Sequence, residues 1–425
     1  MNESARLKTK FRKTVLDNGI RIISEEIPMV RSVSIGVWVD VGSRDETKKK
    51  SGISHFIEHM VFKGTPSRNA QQIAASLESL GGHLNAFTSR EQTCFYAKIL
   101  DEHLPDAVNV LSDIMLNSLF DENEIAKEKK VVIEEIHDVE DAPSELIHDI
   151  FATTIWKSNS LGYPILGTEE TVNSFTRKRL FNYTQANYCP ERIIVSACGN
   201  LRHSKLLKLV ENDFKFRANR GKNGHQRVKS KISCRTCCQQ KDIAQVHVSL
   251  GLPTMEFNDK RRNALLILNN ILGGGMSSRL FQTVREQAGL VYSISSFMDF
   301  YVREGIMGVY FATSKGQVER TLELIYKVFN EIRDNCLSDQ ELYLAKSQLK
   351  GNMVLGLENT SNRMNRIARH EVLLGEYLSI DDTMSSIDAV TTEDITNVAN
   401  QMLNPEVMNI AALGQVEERE LIPYE

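Results

Sequence analysis

The chain lacks long hydrophobic runs, a strong net charge and a paired set of cysteines, and each absence removes a class of function. Within its 425 residues, no window approaches the roughly 18 consecutive apolar residues of a spanning helix. Lys and Arg number 51 against 55 Asp and Glu, a net charge of −4. That balance supplies no field for nucleic acid or for an anionic membrane surface. Seven cysteines are scattered through the chain, an odd number that suits a reducing compartment better than a disulfide framework. Cys234, Cys237 and Cys238 form a CxxCC cluster. No second CxxC or spaced histidine pair completes a four-ligand site, so adventitious oxidation is favoured over a metal or redox role. The stretch Met1–Lys13 is basic but has no apolar core. It reads as a frayed end before the first strand, with the stump of a transit peptide as the lesser alternative. Gly273–Gly275 lacks the Gly-Lys-Ser/Thr of a phosphate loop and reads as the end of a helix and a turn.

What is present is the composition of a soluble, globular protein, 41% hydrophobic and 25% charged, long enough for two domains of about 200 residues each. Phe216–Lys231 is rich in Arg, Lys, Asn and Gly and reads as an exposed linker. It divides the chain into 1–215 and 232–425. The two halves repeat weakly. Ser32–Val39 (SVSIGVWV) and Val246–Leu252 (VHVSLGL) alternate as strands do, with Gly36 and Gly251 215 residues apart. Ile193–Gly199 and Met408–Gly414 are apolar strands closed by glycine, again 215 residues apart. Between these markers come helical periods over Asp101–Asn117 and Gln317–Asn335. Further helices over Glu122–Val139 and Asp339–Leu355 follow the turns LFDEN and CLSDQ, whose aspartates are expected to cap them. The fold class is therefore α+β: two homologous domains, each a sheet covered by helices.

The stretch Ser54-His55-Phe56-Ile57-Glu58-His59-Met60 is expected on a helix that starts after Ser51-Gly52 and stops near Gly64. Residues i and i+4 share a helix face, with i+3 beside them. His55 and His59 thus present two imidazoles to one ion, and Glu58 hangs beside it without needing to bind. This is the inverted HxxEH arrangement, with Glu58 placed to take a proton from water. The bland alternative is a helix with a solvated polar face. A catalytic zinc needs a third protein ligand. On the helix Glu122–Val139, Glu128 and Glu135 fall on one line at about 100° per residue. Val131, Val132 and Val139 are expected on the same inward face, and Glu134 points to the wet side with Lys127 and Lys130. Glu135 is therefore the expected third ligand. Glu128 is expected to orient a ligand histidine, its bland alternative being an ordinary surface glutamate. Glu134-x-x-His137 and Glu145-x-x-His148 fit the ExxH of di-iron bundles, but the strand signals and glycines argue against four long helices, and both read as solvated faces.

SGISHFIEHMVFKGT, followed 76 positions after His59 by Glu135, resembles the pitrilysin-type zinc peptidases. The branch it looks most like is the roughly 400-residue processing-peptidase type, which includes the mitochondrial processing peptidase β subunit and its bacterial relatives. LDNGIRIISEEIP, GSRDE, GGHLNAFTSREQTCFYA and, in the second half, GGGMSSRLFQTVREQAGLVYSISS carry the resemblance over essentially the whole chain. It implies mostly antiparallel sheets forming half of a clamshell chamber, with one zinc per chain. His55, His59 and Glu135 would bind the ion, Glu58 would be the general base, and Glu128 would support the site. Asn85 and Ala86 would lie on the strand that accepts the substrate peptide as an added strand. Arg285 and Tyr292 would reach the substrate from the C-terminal portion, Tyr292 donating to the oxyanion. The second half has Asn269, Asn270 and Gly273 where an HxxEH would fall, so it makes no second zinc site. Four homologous domains close the family's chamber, which implies a dimer. A homodimer with two active sites is expected, a heterodimer with a motif-less homologue being the alternative. Peptides or unfolded segments are the implied substrates, for degradation or for presequence-type processing. The expected location is the cytoplasm of a bacterium, ahead of the mitochondrial matrix. The rival reading is a catalytically silent structural subunit of the same family.

Overall fold

The computed structural model describes residues 9–157, 159–216, 227–230, 234–335 and 337–421. Six strands build the first sheet: β1 (Lys10–Val15), β2 (Arg21–Glu26), β3 (Ser32–Val39), β4 (His83–Thr88), β5 (Thr93–Leu100) and β6 (Ile193–Gly199). Their order is β1-β2-β6-β3-β5-β4. Five build the second: β7 (Thr236–Gln239), β8 (Val246–Thr254), β9 (Val291–Phe300), β10 (Gly305–Thr313) and β11 (Asn409–Leu413), in the order β7-β11-β8-β10-β9. Neighbours are antiparallel except the pairs β2–β6 and β7–β11. The second order reproduces positions two to six of the first, parallel pair included. The repeat markers share backbone geometry as well as spacing. Gly199 and Gly414 close β6 and β11 at φ 135° and 134°. A Cβ at Gly199 would lie 2.1 Å from the Ser32 carbonyl oxygen, so only glycine fits there.

The helices of the first half are α1 (Ile53–Val61), α2 (Ala70–Glu78), α3 (Leu104–Leu116), α4 (Glu122–Asp141), α5 (Pro143–Ile155), α6 (Glu169–Asn173), α7 (Arg177–Asn187) and α8 (His203–Asp213). The second half adds α9 (Arg262–Gly273), α10 (Val318–Asp334), α11 (Asp339–Gly356), α12 (Thr360–Leu373), α13 (Ile380–Asp388) and α14 (Thr392–Met402). Asp121 caps α4 as its turn predicts, accepting from the Asn123 and Glu124 amides at 2.9 and 3.2 Å. At α11 the expectation fails by one residue. Ser338 Oγ accepts from the Glu341 amide at 3.2 Å, and Asp339 is already helical. A hydroxyl one position earlier reaches the amide, while Asp339 contributes charge to the first turn.

Two α+β domains result, each with its own core. On β3, Val33, Ile35, Val37 and Val39 meet Phe56 and Met60 of α1 and Leu111 of α3. On β8, Val248 and Leu250 meet Leu268 of α9 and Phe329 of α10. The packed units do not follow the sequence halves throughout. Residues 356–377 belong with the first unit, and residues 138–162 with the second. α12 covers the far face of the first sheet, where Ile367 and Ala368 pack on Ile23, Trp38, Cys94 and Ile194. α5 covers the second sheet, where Phe151, Ile155 and Trp156 meet Ile306, Ala411 and Leu413. Helical periodicity does not say which sheet a helix covers. The expected linker, 216–231, lies largely outside the described residues.

A buried ion pair fixes α12 on its sheet. Arg363 Nη1 donates to Glu25 Oε1 at 2.8 Å, with both side chains under one-tenth exposed. Replacing Arg363 with Ala leaves a buried carboxylate uncompensated and is expected to cost about 3–5 kcal/mol. The change is read as a drop in the denaturant midpoint of the first unit's unfolding, and an unchanged midpoint would contradict this account of α12.

Candidate metal centre

α1 begins where two features coincide. Gly52 takes φ 88° as its N-cap, and a Cβ there would lie 2.4 Å from the Leu166 carbonyl oxygen. The Glu46 carboxylate accepts from the amides of Gly52 at 2.7 Å and Ser54 at 2.8 Å. It thereby satisfies donors that a helix start otherwise leaves open. Burial pushes the Glu46 carboxyl up to about 8 against the pull of those amides. Ser54 Oγ shares a hydrogen bond with Tyr183 OH at 3.0 Å. Ile53, Phe56, Ile57 and Met60 are fully buried, and α1 packs against β4 and β5. The helix stops as the glycine predicts, with Gly64 at φ 140°.

So anchored, α1 brings the two imidazoles together, ring centres 4.6 Å apart. Glu135 of α4 faces both. Its Oε2 lies 3.6 Å from His55 Nε2 and 3.6 Å from His59 Nε2. These distances are too long for hydrogen bonds. They match the roughly 3.4 Å between ligands set tetrahedrally around an ion at about 2.0–2.1 Å. All three ligand atoms lie within 4.8 Å of one another, the only such group of His, Cys, Asp or Glu among the described residues.

The electrostatics fit a cation. Burial pushes the His55 imidazole down to about 3, with the neighbouring His59 adding to it, so its lone pair is available at neutral pH. Burial opposes charge on His59 too, but the Glu128 hydrogen bond and the carboxylates of Glu135, Glu128 and Glu58 outweigh it and raise its pKa. A proton there occupies the place of a bound ion, which would displace it. His59 Nδ1 lies 2.9 Å from Glu128 Oε1, and Lys63 Nζ holds Glu128 Oε2 at 2.7 Å. With Nδ1–H donating to Glu128, Nε2 is left as the ligand atom. Burial raises the Glu58 carboxyl, against a hydrogen bond from Thr88 Oγ1 at 2.5 Å.

α4 presents Glu128 and Glu135 to α1, with Glu128 buried and Glu134 exposed. Its inward face is narrower than the helical wheel predicts. Val131 is 50% exposed and the Glu135 side chain 41%, because the buried stripe runs through Ile125, Glu128, Val132 and Ile136 and both residues lie at its border. His137 is paired with Glu169 at 2.8 Å. Asn85 and Ala86 lie on β4, the edge of the first sheet. Arg285 and Tyr292 lie in the second unit. Arg285 sits on a π-helical turn, Phe281–Gln287, with its guanidinium 4.5 Å from the centre of the Phe281 ring and 5.3 Å from that of Tyr292. Three residues escaped the sequence reading. Lys63 is one turn beyond His59 and was legible from that spacing. Glu46 and Thr88 reach α1 through tertiary contacts, and no local period reports them.

An HxxEH helix facing a glutamate from a second helix defines the inverted class of zinc metallopeptidase. The chain belongs to peptidase family M16. Residues 21–169 match the family described as "Insulinase (Peptidase family M16)", and residues 174–349 match the "Peptidase M16 inactive domain". The zinc protease YmxG of Bacillus subtilis is 42% identical over 393 residues, 92% of this chain and 95% of that one. A zinc protease of Streptomyces coelicolor is 38% identical over 416 residues, 96% and 90% of the two chains. A protease of Helicobacter pylori shares the fold at TM-score 0.88 and 22% identity, over 96% of this chain and 99% of that one. Family and ligand cluster together make the chain a zinc metalloendopeptidase, with one zinc site among the described residues.

Replacing His55 or Glu135 with Ala is expected to abolish stoichiometric zinc, measured by metal analysis after gel filtration, and replacing Glu134 with Ala to leave it intact. Zinc lost with Glu134 and kept without Glu135 would reverse the assignment.

Proposed function

We propose that the protein hydrolyses peptides or unfolded segments laid as an added strand along β4, inside a chamber closed by a second copy, as in the processing-peptidase branch of the family. The convergence of His55, His59 and Glu135 beside Glu58 carries this reading. β4 supports it as the edge strand, where main-chain pairing recognises an extended peptide with little regard to side chain. Asn85 Oδ1 accepts from the Ala86 amide at 2.8 Å, a contact that an incoming strand would replace.

A zinc ion, when bound, lowers the pKa of a coordinated water toward neutrality and polarises the scissile carbonyl. Glu58 takes the proton from the attacking water and returns it to the leaving amine. Glu128, braced by Lys63, keeps the His59 ring in orientation. Tyr292, 75% exposed, donates to the developing oxyanion, and Arg285 holds the tyrosine ring and reaches the peptide. In a homodimer this pair serves the site of the partner chain. In the alternative, a motif-less homologue takes the partner's place. The two halves, 1–215 and 232–425 joined by 216–231, supply two of the chamber's four domains. A silent structural subunit is disfavoured by the intact ligand set. The bacterial relatives favour a cytoplasmic location over the mitochondrial matrix, and no helix among the described residues is long and apolar enough to cross a membrane. Degradation and presequence-type processing share this chemistry, and a cleavage-site profile on a peptide library separates them.

Replacing Glu58 with Gln is expected to keep zinc and lower turnover of a quenched peptide by about 10²–10⁴-fold. Turnover at the wild-type rate would remove Glu58 as the base. Mixing inactive Glu58→Gln protein with inactive Tyr292→Phe protein is expected to restore activity, because one site of the mixed dimer is intact. No recovery, with mixed dimers demonstrated, would count against sharing between chains.

A further inference from the structure

Thr88 occupies a position that the proposed mechanism leaves unused. It is the last residue of β4 and pairs with Thr93 of β5. Thr93 is in turn tied by its hydroxyl to the Val41 carbonyl at 3.0 Å. The backbone of Thr88 is therefore fixed by the sheet, and a β-branched side chain on a fixed strand has little rotamer freedom. Its hydroxyl donates to Glu58 Oε2 at 2.5 Å, a charge-assisted bond between the edge strand and the metal-bearing helix.

We propose that Thr88 is a positioning residue that makes Glu58 a one-sided base, an inference that rests on Glu58 being the base. An oxygen already accepting a hydrogen bond is a poorer place for a second proton than its neighbour. With Oε2 engaged by Thr88, the proton leaving water settles on Oε1. One O–H bond of water breaks and one forms at Oε1. That proton then passes from Oε1 to the leaving amine, forming an N–H bond and regenerating the carboxylate. Oε2 and the Thr88 hydroxyl end as they began. The same bond also couples binding to chemistry. β4 is the strand proposed to receive the peptide, so the element that sets the peptide's position also aims the base. Loss of the donor should then appear in kcat and leave peptide binding nearly untouched.

The experiment uses the full-length, zinc-loaded protein and a quenched peptide, with Thr88→Val, Thr88→Ser and Glu58→Gln measured side by side. Valine keeps the shape and removes the donor, and serine keeps the donor. Thr88→Val is expected to lower kcat by about 10- to 100-fold with KM within about twofold, zinc content and circular dichroism unchanged. Thr88→Ser is expected to return kcat to within about threefold of wild type. A wild-type kcat in Thr88→Val, an equal loss in the valine and serine variants, or an effect on KM alone would overturn the inference. If Glu58→Gln is inactive while Thr88→Val is unaffected, this inference fails and the Glu58 reading stands. If Glu58→Gln turns over normally, both fail.

Discussion

Two imidazoles and a carboxylate have been brought within 4.8 Å of one another from two helices far apart in sequence, and the rest of the first domain is arranged to hold them there. Glu128 and Glu58 add two further carboxylates, against which Lys63 supplies one ammonium. Such an excess of negative charge in a partly buried place is costly unless a cation joins it. The raised pKa of His59 is the response of the side chains to that field. Glu46 at the start of α1, Gly52 against Leu166, and Phe56 and Met60 in the core all restrict the same helix. Each removes a freedom that would otherwise be spent when the ion binds.

The larger architecture follows from duplication with one exchange in each direction. A five-strand order is used twice, with the same parallel pair and the same left-handed glycine at the end of the corresponding strand. Among the described residues, only the first copy carries a ligand cluster. The second copy carries Arg285 on a π-helical turn, a local irregularity often found at functional sites, with its guanidinium 5.3 Å from the centre of the Tyr292 ring on β9. Each sheet takes one covering helix from the other half of the sequence. The price of crossing is offset by apolar burial, with the buried Glu25–Arg363 pair setting the seat of α12.

Much of this was legible in the sequence, for reasons that can be named. Helical spacing placed His55, Glu58 and His59 on one surface. The same spacing separated Glu135 from Glu134, because 100° per residue turns adjacent positions apart. The strand markers near Gly36 and Gly251 fell on β3 and β8, and Asp121 caps α4 as its turn predicted. What escaped was non-local or narrower than the patterns used. Ser338 took the capping role expected of Asp339. Val131 proved half exposed, because a helix packed on one narrow stripe leaves the stripe's borders wet. The exchange of α5 and α12 leaves no trace in periodicity, since an apolar face does not name its partner. Glu46 and Thr88 act on α1 from loop and strand positions that no helical wheel contains.

Zinc sits on His55, His59 and Glu135, the one group of His, Cys, Asp or Glu among the described residues that could hold it. X-ray absorption at the zinc edge of the purified protein tests this claim most directly. An ion held there gives a ligand shell of nitrogen and oxygen alone at about 2.0–2.2 Å, with the scattering signature of two imidazoles. A sulfur shell at about 2.3 Å would place the ion on cysteine, with Cys234, Cys237 and Cys238 the first candidates, and would contradict the claim.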